Sequence, residues 1–187
     1  SDLCFQHISD FLIVICCGRY GVRFQRKLHT VLFVIYLFLP FSILVGIGSE
    51  KDRIRKYLSD EGIEDTFTFL GYQTNPYKYV SKCDIFICSS IAEGFSTAAT
   101  EALIVGTPVV TTPVAGMEEM LGSNNEYGII TEMNEDSLYR NIKELVVNSE
   151  KLKHYKKQAA IRGKYFSKEN TVAAVEEKLF SMVMKKR

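Results

Sequence analysis

Short, unbroken apolar runs recur along this sequence, each closed by a turn signal and followed by a longer stretch of helical period. The runs Phe11–Cys17, Ile43–Gly46, Phe67–Leu70, Ile85–Cys88, Pro108–Thr111 and Gly128–Ile130 do not alternate polar with apolar residues. A strand that is apolar at every position needs both faces of its sheet covered, which is the situation in parallel βαβ arrangements. Helices are expected between and after the runs, at Gln25–Leu39, Lys51–Glu61, Pro76–Lys82, Ser96–Val105, Met117–Leu121, Glu135–Val147, Glu150–Tyr165 and Lys168–Lys185. The fold expected is therefore α/β: a Rossmann-like parallel sheet of about six strands with helices on both faces. The strands stop near residue 130, so residues 132–187 are expected to form a helical cover. In its first helix, Leu138, Ile142, Leu145 and Val146 are spaced as a packing face.

A chain of 187 residues has room for one such layered domain and its core. No tract rich in Gly, Ser or Pro divides it, so residues 1–187 read as a single unit. Its 23 basic and 22 acidic side chains leave a net charge of +1, which provides no global field for holding a polyanion. Nucleic acid is accordingly not expected as a partner. The cysteines are Cys4, Cys16, Cys17, Cys83 and Cys88, an odd number without metal-site spacing. Buried thiols in a reducing, cytoplasmic compartment are expected, and no secretory signal is visible at the start.

The segment from Val31 to Ile47 contains no charged residue. It admits two readings: a buried helix followed by a buried strand, or a membrane-embedded segment of minimal length. Pro40 interrupts it, and in a bilayer the backbone groups freed there would need other partners. Peripheral association with the inner face of a membrane stays open beside the core reading. The basic Lys151–Lys157 stretch and the Lys185–Arg187 tail read as solvated faces, with contact to a negative membrane surface as the alternative.

Ligands of parallel α/β sheets bind beyond the carboxyl ends of the strands, so the turns there carry the functional information. After the first strand, Gly18-Arg19-Tyr20-Gly21-Val22-Arg23-Phe24-Gln25-Arg26-Lys27 supplies four cations and no acid, enough to neutralise a diphosphate without a metal. After the second, Gly46-Ile47-Gly48-Ser49-Glu50 starts like a dinucleotide fingerprint, but Lys51 stands where the third glycine would fall. A turn with Ser49 capping the next helix is expected instead, and a nicotinamide enzyme is not supported. After the third, Gly71-Tyr72-Gln73-Thr74 offers Tyr72 and backbone groups to a planar base.

The turn after the fourth run is the most informative. Ser89-Ser90-Ile91-Ala92-Glu93-Gly94-Phe95-Ser96-Thr97-Ala98-Ala99-Thr100-Glu101 leaves an apolar strand and opens an Ala-rich helix. Gly94 permits close backbone approach, and Ser96 and Thr97 stand where free helix N–H groups can face a phosphate. Glu101, about one turn farther on, can accept the hydroxyls of a ribose, and Glu93 can reach a second polyol such as a sugar ring. Two carboxylates flanking a positive helix end suit a ligand with a diphosphate between two hydroxyl-rich groups.

These residues resemble the C-terminal, donor-binding domain of GT-B retaining glycosyltransferases of the family 4 type (glycosyl transferases group 1). The resemblance runs from about Phe11 to Glu177. It rests on the E-x7-E pair Glu93 and Glu101 within SSIAEGFSTAATEALIVGTPVVTTPVAGMEEML, on FTFLGYQ, on SILVGIGSE and on FSKEN. It implies that Glu101 binds the ribose, that Glu93 meets the donor sugar or the departing phosphate side, and that the amides of Phe95, Ser96 and Thr97 hold the diphosphate. Arg19 matches the arginine that follows the first-strand glycine, Gly18. Lys27 matches the downstream lysine, and an interval longer than the common form leaves Arg23 and Arg26 as alternatives.

The implied activity is transfer of a hexosyl group from a UDP-, GDP- or ADP-sugar to a hydroxyl acceptor with anomeric retention, in surface polysaccharide or glycoconjugate synthesis. The acceptor implied is a glycan or a lipid-linked sugar. Arg19, Lys27 and the helix start at Ser96 would stabilise the departing nucleoside diphosphate. No D-x-D triplet occurs, so neither a cofactor nor an essential metal is expected. This would be one half of a GT-B fold, with the N-terminal acceptor domain absent from these residues and transfer by the 187-residue chain alone slight or nil. A sugar-nucleotide epimerase or a phosphorylase of the same architecture, and a non-catalytic, membrane-associated binding module, are the alternatives.

Overall fold

The computed structural model describes residues 12–16, 41–45, 51–90 and 94–184. The strands among them are β1 (Leu12–Cys16), β2 (Phe41–Val45), β3 (Phe67–Gly71), β4 (Ile85–Cys88), β5 (Val109–Thr111) and β6 (Ile129–Ile130). They form one sheet in the order β3-β2-β1-β4-β5-β6, with every described pairing parallel. The helices are α1 (Lys51–Asp60), α2 (Tyr77–Val80), α3 (Thr97–Ile104), α4 (Met117–Leu121), α5 (Glu135–Val147), α6 (Ser149–Tyr165) and α7 (Lys168–Met184).

Burial within β4 shows why its sequence is apolar at every position. Ile85 and Ile87 join a core with Leu44, Ile54, Leu58 and Leu145, under α1 and α5. Phe86 and Cys88 point the other way, into a core with Ala102, Leu103, Met117 and Met120, under α3 and α4. Successive strand side chains face opposite sides, so helices on both sides require an unbroken apolar strand. On α1, Ile54 and Leu58 lie one turn apart and are both buried, which stabilises the layer by about 1.5–3 kcal/mol per side chain.

The segment from Val31 to Ile47 is in part sheet. Phe41–Val45 is β2, paired with β1 on one side and β3 on the other, so this part of the run is sheet core and not a membrane-embedded segment; residues 31–40 lie outside the described residues. The strand starts two residues before its expected beginning, directly after Pro40. No helix among the described residues is long and apolar enough to cross a membrane. The expected helix at Gln25–Leu39 and the Ser49 cap lie outside the described residues.

The C-terminal helices follow the expected order, with one difference in what they cover. Asn148 ends α5 by donating its N–H to Glu144 and starts α6 by accepting at Oδ1 from the Lys151 N–H. Leu138, Ile142, Leu145 and Val146 are buried, as their spacing implied. Helix α6 packs against α3 so closely that a Cβ at Gly163 would stand 2.1 Å from the carbonyl oxygen of Leu103. Helix α7, by contrast, has no buried residue and so does not cover the sheet. Its Val172, Val175, Leu179 and Val183 repeat at helical spacing and stay exposed. The Lys151–Lys157 stretch is a solvated face with acidic partners: Lys151 pairs with Glu144, Lys153 with Glu150 and Lys156 with Asp84. The Lys185–Arg187 tail lies outside the described residues.

Candidate functional site

Because the strands are parallel, the turns after β3, β4, β5 and β6 leave from the same edge of the sheet. The chain winds outward from β1 through β2 to β3 on one side, and from β4 through β5 to β6 on the other. The order therefore reverses between β1 and β4, where Cys16 lies opposite Cys88, and a crevice at such a point is where these sheets take ligands.

The turn after β4 opens there. Ser96 is the cap of α3: its Oγ accepts from the Ala99 N–H at 3.3 Å and its carbonyl accepts from Thr100. The Ser96 side chain is thus buried and committed to the helix, and what it offers a ligand is its main chain. Thr97 and Ala98 occupy the open first turn, where N–H groups have no intrahelical acceptor. Thr97 and Phe95 are exposed. Gly94 is also exposed, and a Cβ there would meet nothing within 4 Å, so no packing contact excludes a side chain at that position.

The turn is braced from beneath. The Cys88 thiol lies 3.6 Å from Ser90 Oγ and 4.0 Å from Ser96 Oγ, all three buried. Thr111 donates its hydroxyl to the Cys88 carbonyl, and Thr112 donates its hydroxyl to the Ser90 carbonyl. These bonds tie the carboxyl ends of β4 and β5 together. At the end of the β5 turn, Gly116 has φ +78°, and a Cβ on it would stand 3.0 Å from both the Gly94 carbonyl oxygen and the Phe95 ring. That left-handed backbone and that close approach both call for glycine. A cavity of about 280 Å³ bounded by Pro113, Gly116, Met117 and Ile130 opens beside it.

Glu101 sits one turn into α3, half-buried, and its Oε1 accepts from the phenol of Tyr77 at 3.1 Å. Burial raises the Tyr77 pKa above the ordinary phenol value, and the hydrogen bond and charge of Glu101 add to the rise, so the phenol stays a donor. Tyr72 stands just beyond β3 and is 70% exposed, with its ring free to receive a flat partner. Gly71 before it has φ +63°.

Of the residues singled out from sequence, Gly94, Phe95, Ser96, Thr97 and Glu101 come together at the start of α3, whereas Tyr72 follows β3, the edge strand that β2 and β1 separate from β4. Gly18, Arg19, Arg23, Arg26, Lys27 and Glu93 lie outside the described residues. Sequence reasoning missed Tyr77, Gly116, Arg162 and Phe166. Phe166 meets Phe95 edge-on with ring centroids 6.3 Å apart. Arg162 stacks 5.0 Å from the Phe166 ring and donates to the carbonyls of Met120 and Glu119. Their only sequence signal was the glycine in PVAGMEEML and the phenylalanine in FSKEN.

A parallel sheet with this order, and a helix that starts at its switch point, define a doubly wound, Rossmann-like domain, the architecture of the C-terminal half of GT-B glycosyltransferases. The chain belongs to the glycosyl transferases group 1 family, whose model matches residues 41–162. It is 34% identical over 128 residues, 67% of its length, to a Campylobacter jejuni enzyme described as N-acetylgalactosamine-N,N'-diacetylbacillosaminyl-diphospho-undecaprenol 4-alpha-N-acetylgalactosaminyltransferase, and covers 35% of that protein. It is 26% identical over 144 residues to the lipopolysaccharide core biosynthesis glycosyltransferase LpsE of Rhizobium meliloti, covering 75% of this chain and 41% of the relative. Among solved structures, Anabaena HepE in complex with UDP superimposes with a TM-score of 0.76 at 22% identity, over 92% of this chain and 49% of that one. The chain thus spans about a third to a half of the length of these relatives.

Proposed function

We propose that this chain is the donor half of a retaining glycosyltransferase and binds a nucleoside-diphosphate sugar at the start of α3. The observation that carries the reading is the position of Glu101, one turn inside a helix whose open N–H groups face the switch point. A diphosphate suits those N–H groups because they combine free donors with the positive end of the helix dipole. In this reading the amides of Phe95, Ser96 and Thr97 hold the diphosphate, Glu101 accepts ribose hydroxyls, and Tyr72 receives the base. Glu93 meets the donor sugar. Arg19, following Gly18, and Lys27 neutralise the charge that grows on the leaving diphosphate, work that fixed cations perform without a metal.

Sugar transfer needs an acceptor, here a glycan or lipid-linked sugar, and we propose that a second, acceptor-binding domain presents it. Two observations support this: the chain spans at most about half of the relatives described above, and α7 keeps an apolar stripe uncovered by any described element. The names of two relatives, an N-acetylgalactosaminyltransferase acting on a diphospho-undecaprenol-linked sugar and a lipopolysaccharide core biosynthesis glycosyltransferase, support a role in surface polysaccharide or glycoconjugate synthesis.

The test is isothermal titration of the chain with UDP, GDP and ADP. Binding of one of them, lost in Glu101→Ala, is expected; a folded chain that binds none would sink the reading. Donor turnover by the two-domain enzyme is expected to persist in EDTA. Incubation with UDP-N-acetylglucosamine followed by sugar analysis separates an epimerase, which would yield the epimer without any acceptor.

A further inference from the structure

We propose that Tyr77 is a positioning residue for the donor site: its phenol holds the Glu101 carboxylate in the orientation that reads the ribose hydroxyls. The inference rests on the donor-site reading above and adds to it a residue that sequence did not single out. A glutamate side chain on a helix surface has three rotatable bonds, and fixing them at the moment of binding costs affinity. The Tyr77 hydrogen bond fixes them beforehand.

The bond spans two elements. Tyr77 opens α2, twenty-four residues before Glu101 on α3, and its OH reaches Glu101 Oε1 at 3.1 Å. Helix α2 is itself anchored. The buried Thr107 hydroxyl donates to the Val80 carbonyl at 2.8 Å, and the Thr107 N–H donates to Ala102 of α3. The Cys83 thiol donates to the Tyr79 carbonyl at 3.1 Å. Tyr77 is therefore carried on a short helix fixed to the end of α3, and its distance to Glu101 is set by the scaffold.

The arrangement leaves Glu101 able to work. An ionised carboxylate offers about four acceptor positions, and Tyr77 uses one of them on Oε1. Oε2 and the second lone pair of Oε1 remain for a pair of vicinal hydroxyls. Tyr77 is 39% exposed, so its phenol meets Glu101 at the surface, where a ligand can reach the carboxylate. The recognised chemistry is a ribonucleoside diphosphate, and the role predicted for Tyr77 is discrimination against ligands that lack a ribose hydroxyl.

The experiment pairs each of UDP, GDP and ADP that the chain binds with its 2′-deoxy and 3′-deoxy forms, titrated against the parent, Tyr77→Phe and Glu101→Ala. Circular dichroism and melting temperature confirm folding of each variant. Tyr77→Phe keeps the ring and removes only the donor. It is expected to weaken the ribonucleotide about three- to tenfold, the size of one hydrogen bond, and to lower the preference over a deoxy form by the same factor. A merely structural role would weaken ribo and deoxy forms equally and leave the ratio at the parent value; that result overturns the proposal. If the parent binds a nucleotide and Glu101→Ala loses it while Tyr77→Phe retains the parent's ratios, the role of Tyr77 alone falls. If the parent binds none of the three, the donor-site reading falls and this inference with it.

Discussion

The ring of Phe166 meets the ring of Phe95 edge-on, with centroids 6.3 Å apart and planes at 67°. Phe95 lies on the turn that opens α3, and Phe166 follows the last residue of α6. Arg162 joins this pair to α4, since its guanidinium stacks on Phe166 and Tyr165 while donating to the Glu119 and Met120 carbonyls at the end of that helix. The end of α6 thereby holds the candidate phosphate turn by an aromatic contact. Phe166→Ala is expected to lose about 1–2 kcal/mol of stability, since the ring is half-buried, together with its aromatic pairing. Nucleotide affinity should fall as the turn loosens. Urea unfolding and titration of the same variant check both.

Gly116 and Gly94 are expected to respond in opposite ways to the same methyl group. Gly116→Ala puts a Cβ 3.0 Å from the Gly94 carbonyl and the Phe95 ring on a left-handed backbone, and should cost about 1–3 kcal/mol. Gly94→Ala meets nothing within 4 Å, and its stability should change by less than about 1 kcal/mol. If a diphosphate occupies the open space over the turn, Gly94→Ala instead weakens nucleotide binding. Thermal melts and titrations of the two variants separate fold from site.

Gly163 is the contact through which α6 reaches α3. A Cβ there falls 2.1 Å from the Leu103 oxygen and 2.8 Å from the Ile104 Cα, both backbone atoms that cannot rotate away. Gly163→Ala is expected to push the helices apart and cost about 3 kcal/mol, the upper end of the range for overpacked cores. A melting temperature equal to the parent's would contradict this packing.

The Cys83 thiol should be inert in the native protein. Burial pushes its pKa up to about 12 from an ordinary value of 9, and the neighbouring Asp84 acts in the same direction. The thiolate, which is the reactive form, is thus suppressed, and alkylation of Cys83 should require unfolding. The linkage follows from the sign of the shift. The native state keeps the proton to higher pH than the unfolded chain, so this group's contribution is complete below about pH 9 and is lost as pH rises toward 12. Cys83→Ala should therefore lose less stability than the parent between pH 8 and pH 10.5, measured by urea unfolding at each pH.

Much of the fold was legible because each strand is apolar on both faces. Ile85–Cys88, Met117–Leu121 and Glu135–Val147 fall at their expected bounds, and the other described strands and helices shift by one or two residues where turns and caps blur the ends. Ser96, Thr97 and Glu101 were legible because strand, turn and helix start are contiguous in sequence. Tyr77 was not, since its meaning is a contact with a residue twenty-four positions away. Nor was the exposure of α7: its apolar spacing reads like that of α5, and spacing does not say whether another element lies against the face.

Local pattern by itself determined the parallel sheet, the helices on both its faces and the helix start that carries Glu101, since each follows from the order of apolar and turn-forming residues over a few positions. Tertiary structure decided which side chains meet: Tyr77 with Glu101, Phe166 with Phe95, Gly116 with the Gly94 carbonyl, Gly163 with Leu103. These contacts join residues far apart in the chain, and their distances are set by how α3, α4 and α6 pack on one face of the sheet. Hydrophobic burial, which drives that packing, is non-directional, so the pattern specifies that the helices cover the sheet while close packing of particular side chains fixes where each atom comes to rest.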